Sequence, residues 1–101
     1  ERSNRQLLDT LLTALNELAP HEGDYRDLVT LVGDRPGHDF RYAVDSGKAE
    51  RELGWRPTVA FDEGIRSTVA WYLANQDWTK RVTDGRYRLE RLGTTAGGAM
   101  A

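Results

Sequence analysis

Nine consecutive residues, Asp34-Arg35-Pro36-Gly37-His38-Asp39-Phe40-Arg41-Tyr42, gather two guanidinium groups, an imidazole, two carboxylates and a phenol around one Pro-Gly pair. Proline pushes the residue before it into an extended conformation, and Gly supplies the positive φ that the third position of a type II turn requires. The pattern therefore predicts a bend at Pro36-Gly37 with Arg35 and His38 on either side of it. Arg offers a planar fork of donors matched to phosphate oxygens, and a His ring nitrogen can add another, so the pair suits a phosphate or diphosphate. Local chemistry leaves a second reading open: adjacent Arg and Asp side chains in a loop also form solvated ion pairs of little energetic weight.

The elements that must position this loop follow from periodicity. Leu7, Leu8, Leu11, Leu12, Leu15 and Leu18 fall at the spacing of an amphipathic helix over residues 1–19, with Ser3 and Gln6 as a capping box and Pro20 as the stop. Asn4 then lies at a helix N-terminus, where free N–H groups and the macrodipole favour an anion; taken alone, it also reads simply as part of the cap. A polar, turn-like stretch follows, in which His21 reads as a solvated loop residue. Leu28-Val29-Thr30-Leu31-Val32 reads as a buried strand, with residues 41–44 as a second, shorter candidate. Because a strand needs partners for its N–H and C=O groups, those partners are expected upstream or from a second chain.

Beyond the loop, Asp45 is expected to cap a short helix over 46–53 that buries Ala49 and Leu53 and ends at Gly54, with Trp55 folding back as an apolar plug. Asp62 is expected to cap a helix over 63–75 whose face carries Ile65, Val69, Tyr72 and Leu73. Residues 76–83 contain Trp78 and Val82 without a clear period. Tyr87 and Leu89 belong to a ragged helical turn or an extended arm, and residues 93–101 read as a flexible tail after a domain spanning 1–92.

Composition narrows the function. The formal net charge of −2 with interspersed signs argues against a nucleic-acid footprint or a membrane-surface patch, and no apolar run is long enough to span a bilayer. The absence of cysteine removes disulfides and thiol catalysis and fits a cytoplasmic location. Two histidines far apart in sequence, His21 and His38, make no metal site. A chain that opens at Glu1 directly into a helix pattern carries the expectation that more sequence precedes it.

Asp34-Arg35-Pro36-Gly37-His38-Asp39, followed by Arg41-Tyr42-Ala43-Val44-Asp45, resembles the signature near the C-terminus of the dTDP-glucose 4,6-dehydratases, NAD-dependent members of the extended short-chain dehydrogenase/reductases. Phe40 departs from the pattern, which more often has a second basic residue there. Leu53-Gly54-Trp55-Arg56-Pro57 and Phe61-Asp62-Glu63-Gly64-Ile65 resemble a segment shared by most of that superfamily. The resemblance implies that Arg35 and His38, with Asn4 at the N-terminus of the first helix, grip the diphosphate of a dTDP-sugar. It further implies an α/β architecture: a small α+β substrate-binding domain, mostly helical with one or two short strands, forming the C-terminal part of an enzyme whose Rossmann half is absent from this chain.

By the same resemblance the intact enzyme is a homodimer that oxidises C4 of dTDP-glucose with NAD, removes water between C5 and C6, and returns the hydride to C6, making dTDP-4-keto-6-deoxyglucose for deoxysugar synthesis. The chain itself lacks the motifs for that chemistry. No glycine-rich G-x-G-x-x-G turn occurs, and no tyrosine has lysine four residues later; Tyr72 is followed at that spacing by Gln76. The expected role is binding, with no catalytic or cofactor-binding residue and no turnover by the chain alone. Two rivals remain: another nucleotide-sugar epimerase or decarboxylase, and a non-catalytic helical module docking through its leucine face.

Overall fold

The structure, a computed structural model, describes residues 1–84. Helix α1 runs Asn4–Leu18 and is opened by the expected capping box: Gln6 N–H donates to Ser3 Oγ at 3.1 Å while Ser3 N–H donates to Gln6 Oε1 at 2.8 Å. It closes at Ala19, just before Pro20. Helix α2 spans Gly47–Leu53, α3 Phe61–Ala74 and α4 Gln76–Thr83, with a 3₁₀ turn at Tyr25–Leu28 between α1 and α2.

The core is small and lies where α1 crosses α3. Leu12 is 8% exposed, Ala14 5% and Val69 5%. Leu12, from the leucine stripe, and Ala14 are the buried residues of α1, so the centre of this helix is core, while Leu7 nearer its start is exposed. The 3₁₀ turn is fastened to α1 by polar contacts instead. Asn16 Nδ2 donates to Asp24 Oδ1 at 2.7 Å, Tyr25 N–H donates to Asn16 Oδ1 at 3.1 Å, and the Tyr25 hydroxyl donates to the Ala19 carbonyl at 2.6 Å. Arg26 adds bonds to Asp9 at 2.8 Å and Thr13 at 2.7 Å. His21 stays exposed, with its ring edge-on to Tyr25.

The expected strands are a correction. Among the described residues there is no strand: Leu28 ends the 3₁₀ turn, and residues 29–32 continue in neither helix nor strand. Leu31 is 81% exposed rather than buried. The physical reason is the one that made partners necessary: without an adjacent ladder the β-branched run has nothing to pair with or pack beneath. Residues 41–44 supply no ladder either.

Element ends also shift. Ser46, not Asp45, is the N-cap of α2, although Asp45 Oδ1 still accepts from Gly47 N–H at 2.9 Å. Leu53 is exposed rather than buried. Gly54 takes φ 66°, the left-handed position that ends the helix, but Trp55 remains half-exposed and plugs nothing. Helix α3 begins two residues earlier than expected, at Phe61 with Ala60 as cap, so Asp62 lies in its first turn beside Glu63 and complements the dipole there. Residues 76–83 do form a helix, α4. Asp77 near its start, Lys80 and Arg81 near its end, and Trp78 with Val82 one turn apart explain why. Tyr87, Leu89 and the expected tail over 93–101 lie outside the described residues, as does the domain boundary at 92.

Candidate functional site

His38 N–H donates to the Arg35 carbonyl at 3.2 Å, and Gly37 has φ 73°, closing the bend that Pro36-Gly37 predicts. A Cβ on Gly37 would meet nothing within 4 Å, so what requires glycine there is the backbone conformation, not space.

The turn faces the start of α1. A cleft of about 680 Å³ is lined on one side by Glu1, Arg2, Ser3, Asn4 and Gln6, and on the other by Arg35 and residues 38–42. Asn4, Arg35 and His38, the three residues singled out from the sequence, therefore line one cavity. Its volume lies within the range of sites that take small organic ligands.

Asn4 occupies the first position of α1. The capping box takes up the N–H groups of Ser3 and Gln6, and those of Asn4 and Arg5 have no intrahelical acceptor. The positive end of the helix dipole thus opens onto the cleft. Arg35 and His38 are exposed, ready for a ligand rather than spent in the core.

Charge distinguishes this cleft from a second hollow between α1 and α3. That hollow, about 390 Å³, is lined by the carboxylates of Asp9, Glu17, Asp62 and Glu63 against the one guanidinium of Arg66, which is itself bonded to Glu17. It repels anions. The cleft at the start of α1 instead carries the guanidinium groups of Arg2, Arg35 and Arg41 against the carboxylates of Glu1 and Asp39. The Arg2 guanidinium also sits 4.1 Å from the centre of the Phe61 ring, which ties this wall to the start of α3.

One pair at the site has no precursor in the sequence reading. Arg41 Nε donates to Glu1 Oε1 at 2.6 Å and Arg41 Nη2 donates to Glu1 Oε2, a fork-to-fork arrangement. The bonds from Arg41 hold the Glu1 carboxyl below its ordinary range, and those from Glu1 raise Arg41 above its own. Both groups are therefore charged across the ordinary pH range. Forty residues separate them, so no local spacing could have announced the contact.

A helix start and a turn carrying Arg35 and His38, opposed across one cleft, make a unit suited to a small anionic ligand. Residues 2–68 match the family model described as GDP-mannose 4,6 dehydratase, and the chain belongs to that family. It is 51% identical over 98 residues to the dTDP-glucose 4,6-dehydratase of Neisseria meningitidis serogroup B, an alignment covering 93% of this chain and 28% of that protein. It is 49% identical over 88 residues to the enzyme of the same name from Salmonella typhimurium, covering 87% and 24%. With the Xanthomonas campestris pv. campestris enzyme it shares 47% over 97 residues, covering 94% and 28%. The chain thus spans about a quarter of the length of the curated relatives it matches.

Proposed function

We propose that this chain is the substrate-binding portion of an NAD-dependent dTDP-glucose 4,6-dehydratase of the extended short-chain dehydrogenase class, and that it binds the diphosphate of dTDP-glucose. The observation that carries the reading is the meeting of Asn4, Arg35 and His38 in one cleft, in a chain about half identical to proteins of that name. Arg35 supplies the charged fork, His38 a ring donor, and Asn4 with the open end of α1 supplies neutral donors and a favourable dipole. Holding a remote, non-reacting group in this way places the sugar for reaction and contributes binding energy that the chemical step can use.

NAD is assigned to the rest of the polypeptide. The described residues offer no strand leading through a glycine-rich turn into a helix, so they do not fit a dinucleotide pyrophosphate, and no Tyr-Lys pair is available for proton transfer. The part of this chain is recognition, and catalytic turnover belongs to the intact homodimer. Fifteen large apolar side chains of the described residues are more than two-fifths exposed, including Leu31, Val32, Trp71 and Trp78. Such surface is what a segment shows when its packing partner is the rest of its own polypeptide.

Calorimetry with dTDP, UDP and GDP on the full-length polypeptide tests the reading. Tightest binding of dTDP supports it. Preference for UDP points to an epimerase or decarboxylase, preference for GDP to a GDP-sugar dehydratase, and no nucleotide binding to a helical interaction module.

A further inference from the structure

We infer that the Glu1–Arg41 ion pair is the clasp that sets the width of the diphosphate cleft, which makes Arg41 a positioning residue for Asn4, Arg35 and His38. The inference rests on the diphosphate reading above and goes beyond it, because neither partner of the pair is among the residues that reading gives to the ligand.

The two walls of the cleft differ in how they are built. One is the start of α1, fixed by the capping box and, through Arg2 over Phe61, by α3. The other, residues 34–42, is an irregular loop without helix or strand, whose large side chains stand in solvent: Phe40 is fully exposed and Tyr42 is 81% exposed. A loop with so little apolar burial takes its position from polar contacts. The Arg41–Glu1 pair spans from this loop to the helix start.

Its place in the chain suits the task. Arg41 lies three residues beyond His38, and Glu1 three residues before Asn4, so the tether reaches His38 and Asn4 through about 10 Å of chain each, and Arg35 through the Pro36-Gly37 bend. Two parallel bonds between planar groups fix orientation as well as distance, which a single ammonium could not do. The pair also satisfies both of its own charges, so Arg41 does not compete with Arg35 for the ligand. A diphosphate that bridges both walls depends on the gap between them. A monophosphate held by one wall does not.

The test uses the full-length polypeptide carrying this segment, with calorimetric affinities for dTDP and dTMP beside KM and kcat. Arg41→Gln and Glu1→Gln should each weaken dTDP binding about tenfold and dTMP binding less than about threefold, with the turnover defect expressed mainly in KM. The reciprocal exchange, Glu1→Arg with Arg41→Glu, should return dTDP affinity to within about threefold of the starting protein. A double variant no better than the singles, or equal weakening of dTDP and dTMP, overturns the clasp. Should Arg41→Gln not fold, Glu1→Gln carries the same comparison. Arg35→Ala in the same series separates the two claims: if it leaves dTDP affinity unchanged, the diphosphate reading fails, and if it alone weakens dTDP, only the clasp fails.

Discussion

His38 closes onto Arg35 through one backbone bond of 3.2 Å, and the residue that lets it do so is Gly37 at φ 73°. The two side chains proposed to hold phosphate are thereby separated by a bend of fixed shape. An L-residue with a Cβ pays about 1–2 kcal/mol to sit in that left-handed region. Gly37→Ala should therefore open the turn and raise KM for the sugar nucleotide roughly fivefold, while Gly37→Asn, which tolerates the conformation, should raise it less. Steady-state kinetics on the two variants checks the order. An Asn variant worse than Ala would mean that the turn is not what positions the pair.

Arg35 and His38 should not contribute equally. The planar Arg35 guanidinium can bind phosphate oxygens in pairs, so Arg35→Ala should raise KM roughly tenfold to a hundredfold, and Arg35→Lys should fall between Ala and the original. The loss should shrink as salt is added, since the site is exposed. An unaltered KM with a collapsed kcat would instead place Arg35 at the reacting centre.

The sequence made local features legible and distant ones not. The capping box at Ser3 and Gln6, the stop before Pro20, the bend at Pro36-Gly37 and the left-handed Gly54 are each decided within four residues, and each is found where the chemistry puts it. The meeting of Asn4 with Arg35 was expected only through family resemblance, because nothing in helix periodicity says where a loop thirty residues later will return. Residues 28–32 depart from the strand expectation for the same reason. Their β-branched composition reports what the backbone prefers, whereas a strand also needs a neighbour, and the described residues offer none. Helix α4 escapes periodicity because its short apolar pair, Trp78 and Val82, carries less signal than its terminal charges.

The exposure of residues 28–32 yields an expectation of its own. If the rest of the polypeptide supplies the neighbour, the amides of Val29, Leu31 and Val32 should exchange slowly with solvent in the full-length protein and quickly in a preparation of residues 1–84 alone. Hydrogen exchange followed by mass spectrometry on both preparations reads this directly. Fast exchange in both would leave the segment a surface loop, with its apolar side chains unexplained.

Acid should loosen the joint between α1 and the 3₁₀ turn. The Asp24 carboxyl is held below its ordinary range first by the backbone N–H of Arg26, then by the side chain of Asn16 and by the Arg26 guanidinium. Its native pKa is thus lower than its unfolded one, near 3.9. Between those two values the unfolded chain binds the proton and the folded chain does not, so folding stability rises with pH. The contribution is complete above the unfolded value and disappears as pH falls through the native one. Asp24→Asn keeps an acceptor for the same donors but removes the charge. The variant should therefore unfold at lower urea than the original at pH 6, and the difference should close as pH falls below about 4. Because Asp24 is about half exposed, salt should narrow the gap at pH 6 as well. Urea titrations at pH 6, 4 and 2.5 decide it, and a gap that widens in acid would assign the joint to packing of Tyr25 rather than to the Asp24 carboxylate.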